Sequence, residues 1–547
     1  MKTLLLACVA PLVPSLTLAQ KPAGTDQAQL EASFEKLMTG CRMVGKFTRT
    51  GSDKPPQEDS YTIAKVTKVG GDKWRFDAKI EYGKKSVTVP LVVSVRWAGD
   101  TPMIQVTKMA IPMLGTYSAR VVIYDGQYAG LWSGSNYGGH MFGKIVRAPR
   151  KATAQQGNGG GWSTWRGPDG TAIARTGKPP TEWSEEKNIR WKTRIPGDAS
   201  SSPIVFGDRI YVTTAIETEE EGEAPQPQGG RRRRGFGGFG FGRRAPTTVH
   251  EFAVVAVNRK NGKIVWKKTV KKSVPHEAGH ATASQASGSP LTDGKHIYAF
   301  FGSRGLHCLD MEGNVKWSKD LGQMRTSGGF GEGASPALYG DTLIVNWDHQ
   351  GASFVVALRK GDGEEIWRKP RNERTSWSTP IIVPVDGRHQ VIITATRASR
   401  AYDLETGEVI WSCSGMTGNC IPTPIHVDGI AYLMSGFNGS ALQAIKLSGA
   451  KGDITDSEDH ILWEHRRGCP YTPSGLVYDG YVYFMFSNSG RLSCLDAKTG
   501  KPYYSGKRLR GLRTVYSSLV GAAGHIYVSG RKGRTKVIKL GKEFEVV

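Results

Sequence analysis

The pentapeptide His276-Glu277-Ala278-Gly279-His280 comes nearest to catalysis in residue type and spacing. On one turn of helix, two imidazoles four residues apart face one zinc ion. The glutamate between them reaches the metal-bound water, as in a metal-dependent hydrolase. The surroundings argue against such a turn. Pro275 precedes it, Gly279 interrupts it, and neither an apolar helix nor a spaced third ligand accompanies it. The segment reads as a polar connector, with His276, Glu277 and His280 as the candidate metal ligands. Trp347-Asp348-His349 reads as a turn between strands. Ser, His and Asp are abundant, but no Gly-x-Ser-x-Gly nucleophile elbow occurs, and no Cys-x-x-Cys thiol site.

The start of the chain sets the compartment. Lys2, the apolar stretch Leu4 to Leu18 and the small-residue site Thr17-Leu18-Ala19 read as a secretory signal over residues 1–19. Leu5-Leu6-Ala7-Cys8 imitates a lipoprotein processing site but has too little apolar sequence before it, so Cys8 is assigned to the removed peptide. No later run approaches the ~20 apolar residues that span a bilayer. The expectation is an exported protein, periplasmic or extracellular and associated with the cell envelope. Six cysteines remain: Cys41, Cys308, Cys413, Cys420, Cys469 and Cys494. Export permits disulfides, and Cys413 and Cys420 are the closest pair in sequence. Cys308 and Cys494, in HCLD and SCLD, read as buried strand residues. The net charge of +24 favours anionic partners. Outside the cytoplasm these are envelope lipids or polymers rather than nucleic acid.

The elements that must position any site are strands. Residues 27–147 hold one short helix near Phe34–Met38, then alternating runs from Tyr61 to Trp132, which predicts a small antiparallel β-barrel or sandwich. The order of runs resembles barrels of the lipocalin-like kind, which hold an apolar ligand; the alternative is an interior packed with side chains. Residues 148–161, rich in Gly and Gln, form a linker to a second region, 162–547.

There a Ser/Thr-Pro pair with a β-hairpin recurs, with prolines at 203, 290, 336, 380, 424 and 473. A second hairpin in each unit ends on tryptophan: VNRKNGKIVW to Trp266, LDMEGNVKW to Trp317, LRKGDGEEIW to Trp367, AYDLETGEVIW to Trp411. A longer version ends at Trp463, and LDAKTGKPYY ends on tyrosines. A period of ~40–50 residues with four short strands predicts an all-β propeller of seven or eight blades. The long first interval holds an insertion, 217–247, whose Glu, Pro/Gln, Arg and Gly/Phe tracts cannot build a core and read as disordered. Asn188–Thr193 reads as an orphan outer strand, and Glu543–Val547 as the last unit's own fourth strand. Either the ring has seven blades and a tail, or an eighth blade lies beyond Val547.

The hairpin Ala401-x-Asp403-x-x-Thr406-Gly407-x-x-x-Trp411 resembles the tryptophan-docking repeat of the pyrroloquinoline-quinone-like (PQQ-like) β-propellers; Asp496, Thr499 and Gly500 match it in part. From Trp162 to Val547 the chain resembles bacterial PQQ-binding-like repeat proteins, including relatives of the outer-membrane assembly lipoprotein BamB. The resemblance implies that Trp266, Trp317, Trp367, Trp411 and Trp463 lock blade to blade. It offers two functions. One is a non-catalytic scaffold or binding module at the cell envelope, without cofactor, whose partners are envelope proteins or anionic polymers and lipids. The other is an alcohol or sugar dehydrogenase that holds PQQ and calcium and stacks an adjacent Cys-Cys disulfide on the quinone; this sequence has no Cys-Cys pair. Loops on a rigid β scaffold carry binding residues. The connectors entering each innermost strand therefore supply Arg374, Trp377, Asn419, Tyr471, Arg513 and Tyr516 as candidate ligand contacts, suited to a planar or anionic ligand or a peptide edge.

Overall fold

A computed structural model describes residues 27–52, 55–82, 85–111, 115–124, 126–147, 161–223 and 245–547. The expected signal sequence, the linker up to residue 160 and the centre of the insertion, 224–244, lie outside the described residues. The chain divides into two units, one ending at Arg150 and the other beginning at Lys151.

The first unit opens with a helix, α1 (Gln27–Met38), longer than the short turn read from Phe34. Eight strands follow: β1 (Cys41–Phe47), β2 (Gln57–Gly70), β3 (Lys73–Tyr82), β4 (Lys85–Ala98), β5 (Thr101–Ile111), β6 (Gly115–Tyr124), β7 (Gln127–Ser133) and β8 (Gly138–Arg147). Each pairs antiparallel with the next, and β8 pairs back onto β1 from Cys41↔Arg147 to Phe47↔Met141. The sheet is therefore a closed barrel, which excludes the sandwich. Closure depends on β1, which sequence reading missed: CRMVGKF carries two charges in seven residues and alternates only in its burial. At the end of the barrel where β2 turns into β3 and β4 into β5, α1 acts as a plug. The Phe34 ring meets Trp74 edge-on at 5.3 Å and Trp97 at 5.9 Å, and Met38 is fully buried beside them.

One row across the wall shows how sequence sets the interior. Tyr128, Gly143, Gly45 and Asp59 face one another in succession on β7, β8, β1 and β2. Two missing side chains clear a path for the tyrosine: a Cβ on Gly143 would lie 2.8 Å from its ring. Tyr128 reaches across to donate a hydrogen bond to Asp59, 3.4 Å away, and Tyr61 donates to the same carboxylate at 2.9 Å.

The second unit consists, among the described residues, of seven successive antiparallel sheets over 204–273, 291–319, 337–371, 381–413, 425–465, 476–508 and 520–539. The innermost strands of neighbouring sheets touch, and apolar clusters fill the space between consecutive sheets. The first sheet's central hairpin is longer than expected. Its strands Arg209–Glu221 and Thr248–Asn258 pair out to Glu217↔His250 and Glu221↔Thr248. Residues 217–221 are thus sheet rather than part of a disordered insertion, because β-pairing and the Thr248 hydroxyl on Glu217 hold the acidic run extended.

Residues 161–203 join the last sheets to the first ones. Ile173–Ala174 adds to the innermost strand Val520–Ala522 in parallel, and Trp183 stacks on Tyr527 at 6.4 Å. Arg166 donates to the Gly475 carbonyl at 2.9 Å. On the other side Trp162 bridges Val205, and the Thr292 N–H reaches the Ser163 carbonyl. Asn188–Thr193 forms no strand there, which corrects the outer-strand reading. Glu543–Val547 turns back on Thr535–Lys539 through the Ile538↔Val546 bridge.

Candidate functional site

The repeated tryptophans are fixed by turns that only glycine fits. In Asp403-Leu404-Glu405-Thr406-Gly407, the Asp403 carboxylate accepts the N–H groups of Glu405 and Thr406, and Gly407 adopts φ +71°. A Cβ there would lie 2.6 Å from the ring of Trp367, which belongs to the preceding sheet. The Trp367 indole N–H donates to the Leu404 carbonyl at 2.9 Å. Trp266 sits in the same way on Gly313, Trp317 on Gly363 and Trp463 on Gly500, each with its indole N–H on a carbonyl of that turn. Trp191 does likewise on Gly262, although its segment is not a strand. Trp411 differs. It is fully buried, and its N–H donates to Gln390 Oε1 of its own sheet at 3.1 Å. The cause is the longer turn of the next sheet, which lays Gly452–Asp453 alongside Trp411 and Ser412 as a fifth strand in place of a glycine seat.

A second tie runs along the inner ends of the sheets, and sequence reading missed its role. The Ser202 N–H donates to Ser289 Oγ, that of Ser289 to Ser335 Oγ, and that of Ser335 to Thr379 Oγ1. The pattern resumes from Thr423 to Ser474 and from Ser474 to Ser518. The recurrent Ser/Thr before proline is the signal that carried it. Proline holds its predecessor extended, which leaves that residue's N–H and hydroxyl for the neighbouring sheets. Ser474 precedes Gly475, so Pro473 is not the counterpart of the other prolines.

Among the six candidate ligand contacts, some meet and some do not. Trp377 is half-buried and held at both ends: its backbone N–H donates to the Cys420 carbonyl at 2.8 Å and its indole to the Gly331 carbonyl at 2.7 Å. Asn419, at φ +51°, reaches Tyr471 OH at 3.5 Å, and the Tyr471 ring stacks on Phe437 at 5.0 Å. Burial raises the Tyr471 pKa, so the phenol stays protonated. Tyr516 lies under the Arg531 guanidinium at 4.9 Å. Arg374 and Arg513 are exposed.

The charged groups between the sheets are committed to the fold. Asp348 and Arg371 are fully buried and joined by two hydrogen bonds of 2.7 and 3.0 Å, with Ser376 donating to the same carboxylate. Burial opposes the Arg371 charge, but Asp348 outweighs it and holds the guanidinium protonated. Glu373 accepts the N–H groups of Arg397 and Ala398. The His276–His280 segment is a connector with no helical turn. His276 meets the Met324 carbonyl at 2.6 Å and Arg304 at 2.9 Å, and burial lowers its pKa to about 4. Glu277 accepts from the N–H and hydroxyl of Thr326, while His280 pairs with the Thr282 hydroxyl at 2.7 Å. The three side chains point to different partners. Next to His276, Glu332 accepts from Ser303, and burial pushes its pKa up to about 7.

A quinone with calcium asks for a free carboxylate set and a stacked disulfide. The carboxylates above are taken by arginine, hydroxyl and backbone donors. No group of three or more His, Cys, Asp or Glu among the described residues is arranged to hold a metal. All six described cysteines are free and buried, Cys413 facing Gln443 and Cys420 facing Thr396, so no disulfide joins these two, the pair closest in sequence. To hold a quinone and calcium, these described groups would have to leave their present partners.

A family model described as outer membrane protein assembly factor BamB matches residues 230–373 and 351–543. Among curated proteins, the assembly factor BamB of Francisella salina is 31% identical over 157 residues, 25% of this chain and 28% of that protein. The BamB of Francisella tularensis subsp. tularensis is 26% identical over 172 residues, 27% of this chain and 35% of that protein. The chain thus spans about a third or less of the length of these relatives. Among solved structures, BamB from Moraxella catarrhalis aligns at 16% identity with a TM-score of 0.39, covering 54% of this chain and 84% of that one. A europium-containing methanol dehydrogenase aligns at 12% identity with a TM-score of 0.41, covering 71% and 90%. With its family model covering more than half of the sequence and its glycine turns seating tryptophans from sheet to sheet, the chain belongs to the PQQ-like, BamB-like repeat β-propellers.

Proposed function

We propose that this chain is an exported, non-catalytic β-propeller scaffold of the bacterial cell envelope that binds proteins of outer-membrane assembly. Its ring counts seven sheets, with residues 161–203 spanning the gap between the last and the first. The observation that carries the reading is the use made of the polar and aromatic groups at the sheet junctions. The indoles of Trp266, Trp317, Trp367 and Trp463, the recurrent Ser/Thr hydroxyls, Asp348, Arg371 and Glu373 tie one sheet to another or to its connectors. What remains outward is a rigid ring with exposed arginines such as Arg374 and Arg513, on a chain of net charge +24. Membership of the BamB family supplies the class of partner. Among the described residues no helix is long and apolar enough to cross a membrane.

Affinity capture from envelope extracts tests this. The full chain should recover an outer-membrane assembly protein, and an Arg374→Glu/Arg513→Glu variant should recover at least roughly tenfold less while keeping its melting temperature, because rim charges set association more than stability. Recovery of the same proteins by an unrelated protein of equal charge would sink the proposal.

A further inference from the structure

The barrel of the first unit holds a cavity of about 320 Å³, a volume within the range of small-molecule sites. Eight strands give an interior that side chains either fill or leave open for one small ligand; here part is left open. Met43, Phe76, Val93, Ile104 and Val121 make its wall apolar. The helix end is sealed by Phe34 and Met38. The opposite end, where β1 leads towards β2, β5 towards β6 and β7 into β8, is bordered by Arg49, Ile111, Tyr117 and Tyr137. The Arg49 guanidinium lies over the Tyr137 ring at 4.9 Å, and Trp132 meets the same ring edge-on at 5.6 Å. Among the described lining residues the one carboxylate, Asp59, is 7% exposed and is held to the wall by Tyr61 and Tyr128. Two residues into β2 from the mouth, it bars a second anion from going deeper.

A one-ended apolar tube with a cation at its rim and an acid just below fits a molecule with a single apolar chain and an anionic head. We propose that the barrel binds a single-chain carboxylate amphiphile, chain inside and carboxylate at Arg49. The inference stands on the first unit alone and does not depend on the function proposed for the propeller.

The test titrates the full chain with the fluorescent fatty acid cis-parinaric acid and displaces it with dodecanoate or dodecanol. Saturable binding of one molecule per chain is expected. Arg49→Glu, an exposed substitution beyond the strand, should weaken dodecanoate roughly tenfold, the worth of one charged hydrogen bond, and leave dodecanol within about twofold. Ala119→Phe, which places a ring in the cavity, should abolish binding of both. Absence of saturable binding would overturn the proposal. So would binding unchanged in Ala119→Phe, or an Arg49→Glu effect that is nil or equal for acid and alcohol. Should Ala119→Phe fail to fold, the acid-to-alcohol comparison in Arg49→Glu decides alone.

Discussion

The contact between Trp367 and Gly407 gives a prediction whose size follows from the geometry. Gly407→Ala asks a side chain to adopt φ +71°, a left-handed conformation that costs about 1–2 kcal/mol. It also drives a methyl to within 2.6 Å of the Trp367 ring, an overpacking of about 1–3 kcal/mol. The single variant should lose about 2–5 kcal/mol. Trp367→Ala loses a half-buried ring and its hydrogen bond to Leu404, about 3 kcal/mol. In the double variant the ring is gone and only the backbone cost of Gly407→Ala remains. The pair should therefore lose about 1–3 kcal/mol less than the sum of the singles. Urea unfolding of the full chain, followed by far-ultraviolet circular dichroism, reads the midpoints; they compare directly if the slopes agree. Additivity within about 0.5 kcal/mol would refute the claim that the ring rests on the turn, because uncoupled sites have no contact to lose.

Ser335→Ala removes the acceptor of the buried Ser289 N–H and should cost about 1–3 kcal/mol, while Ser335→Thr keeps the oxygen and most of the stability; equal midpoints for the two variants would count against the hydroxyl tie. Trp411→Ala should cost about 3–5 kcal/mol as a cavity yet show no coupling to Gly407→Ala, since its indole bonds Gln390 within its own sheet. The His276–Glu332 pair sets a pH dependence. The folded Glu332 keeps its proton to about pH 7 against an ordinary 4.5, so its contribution to stability falls as pH rises through that window. His276, lowered to about 4 from 6.5, contributes the opposite slope, because the unfolded chain protonates first as pH falls. Glu332→Gln should leave the histidine slope alone, a gain of roughly 1–3 kcal/mol from pH 4 to 6.5 with no decline toward 7; a profile parallel to the parent would contradict it. Titration with PQQ and calcium should give no stoichiometric cofactor absorbance, and a saturating signal at micromolar cofactor would reverse the reading of the donor set.

What was legible in the sequence is what repeats. Gly407, Gly500 and the tryptophans stand at fixed offsets because one turn geometry recurs, and the period of their hairpins carried the propeller. Trp411 shows the limit. Its motif is the best match in the chain, but the seat belongs to the next sheet, whose turn is lengthened by residues 447–460, and no local pattern reveals what another sheet offers. Ser289 and Ser335 were visible beside their prolines, but a hydrogen bond between residues 46 apart becomes apparent only once the sheets are side by side. β1 escaped because its pairing with β2 and β8, rather than its composition, makes it a strand. Among the candidate contacts, Asn419 and Tyr471 converge, while Trp377 is bound to Gly331 and Cys420 and the arginines point outward. Spacing alone could not separate these cases.

Site-specific photocrosslinking in living cells tests the central claim most directly. A photoreactive residue at Arg374 or Arg513 should trap a protein of outer-membrane assembly, and the same residue at exposed Val409, on the fourth strand of its sheet and away from the connectors entering the innermost strands, should not. Crosslinks of equal yield at all three positions, or none at the arginines, would contradict a scaffold that binds through its connectors.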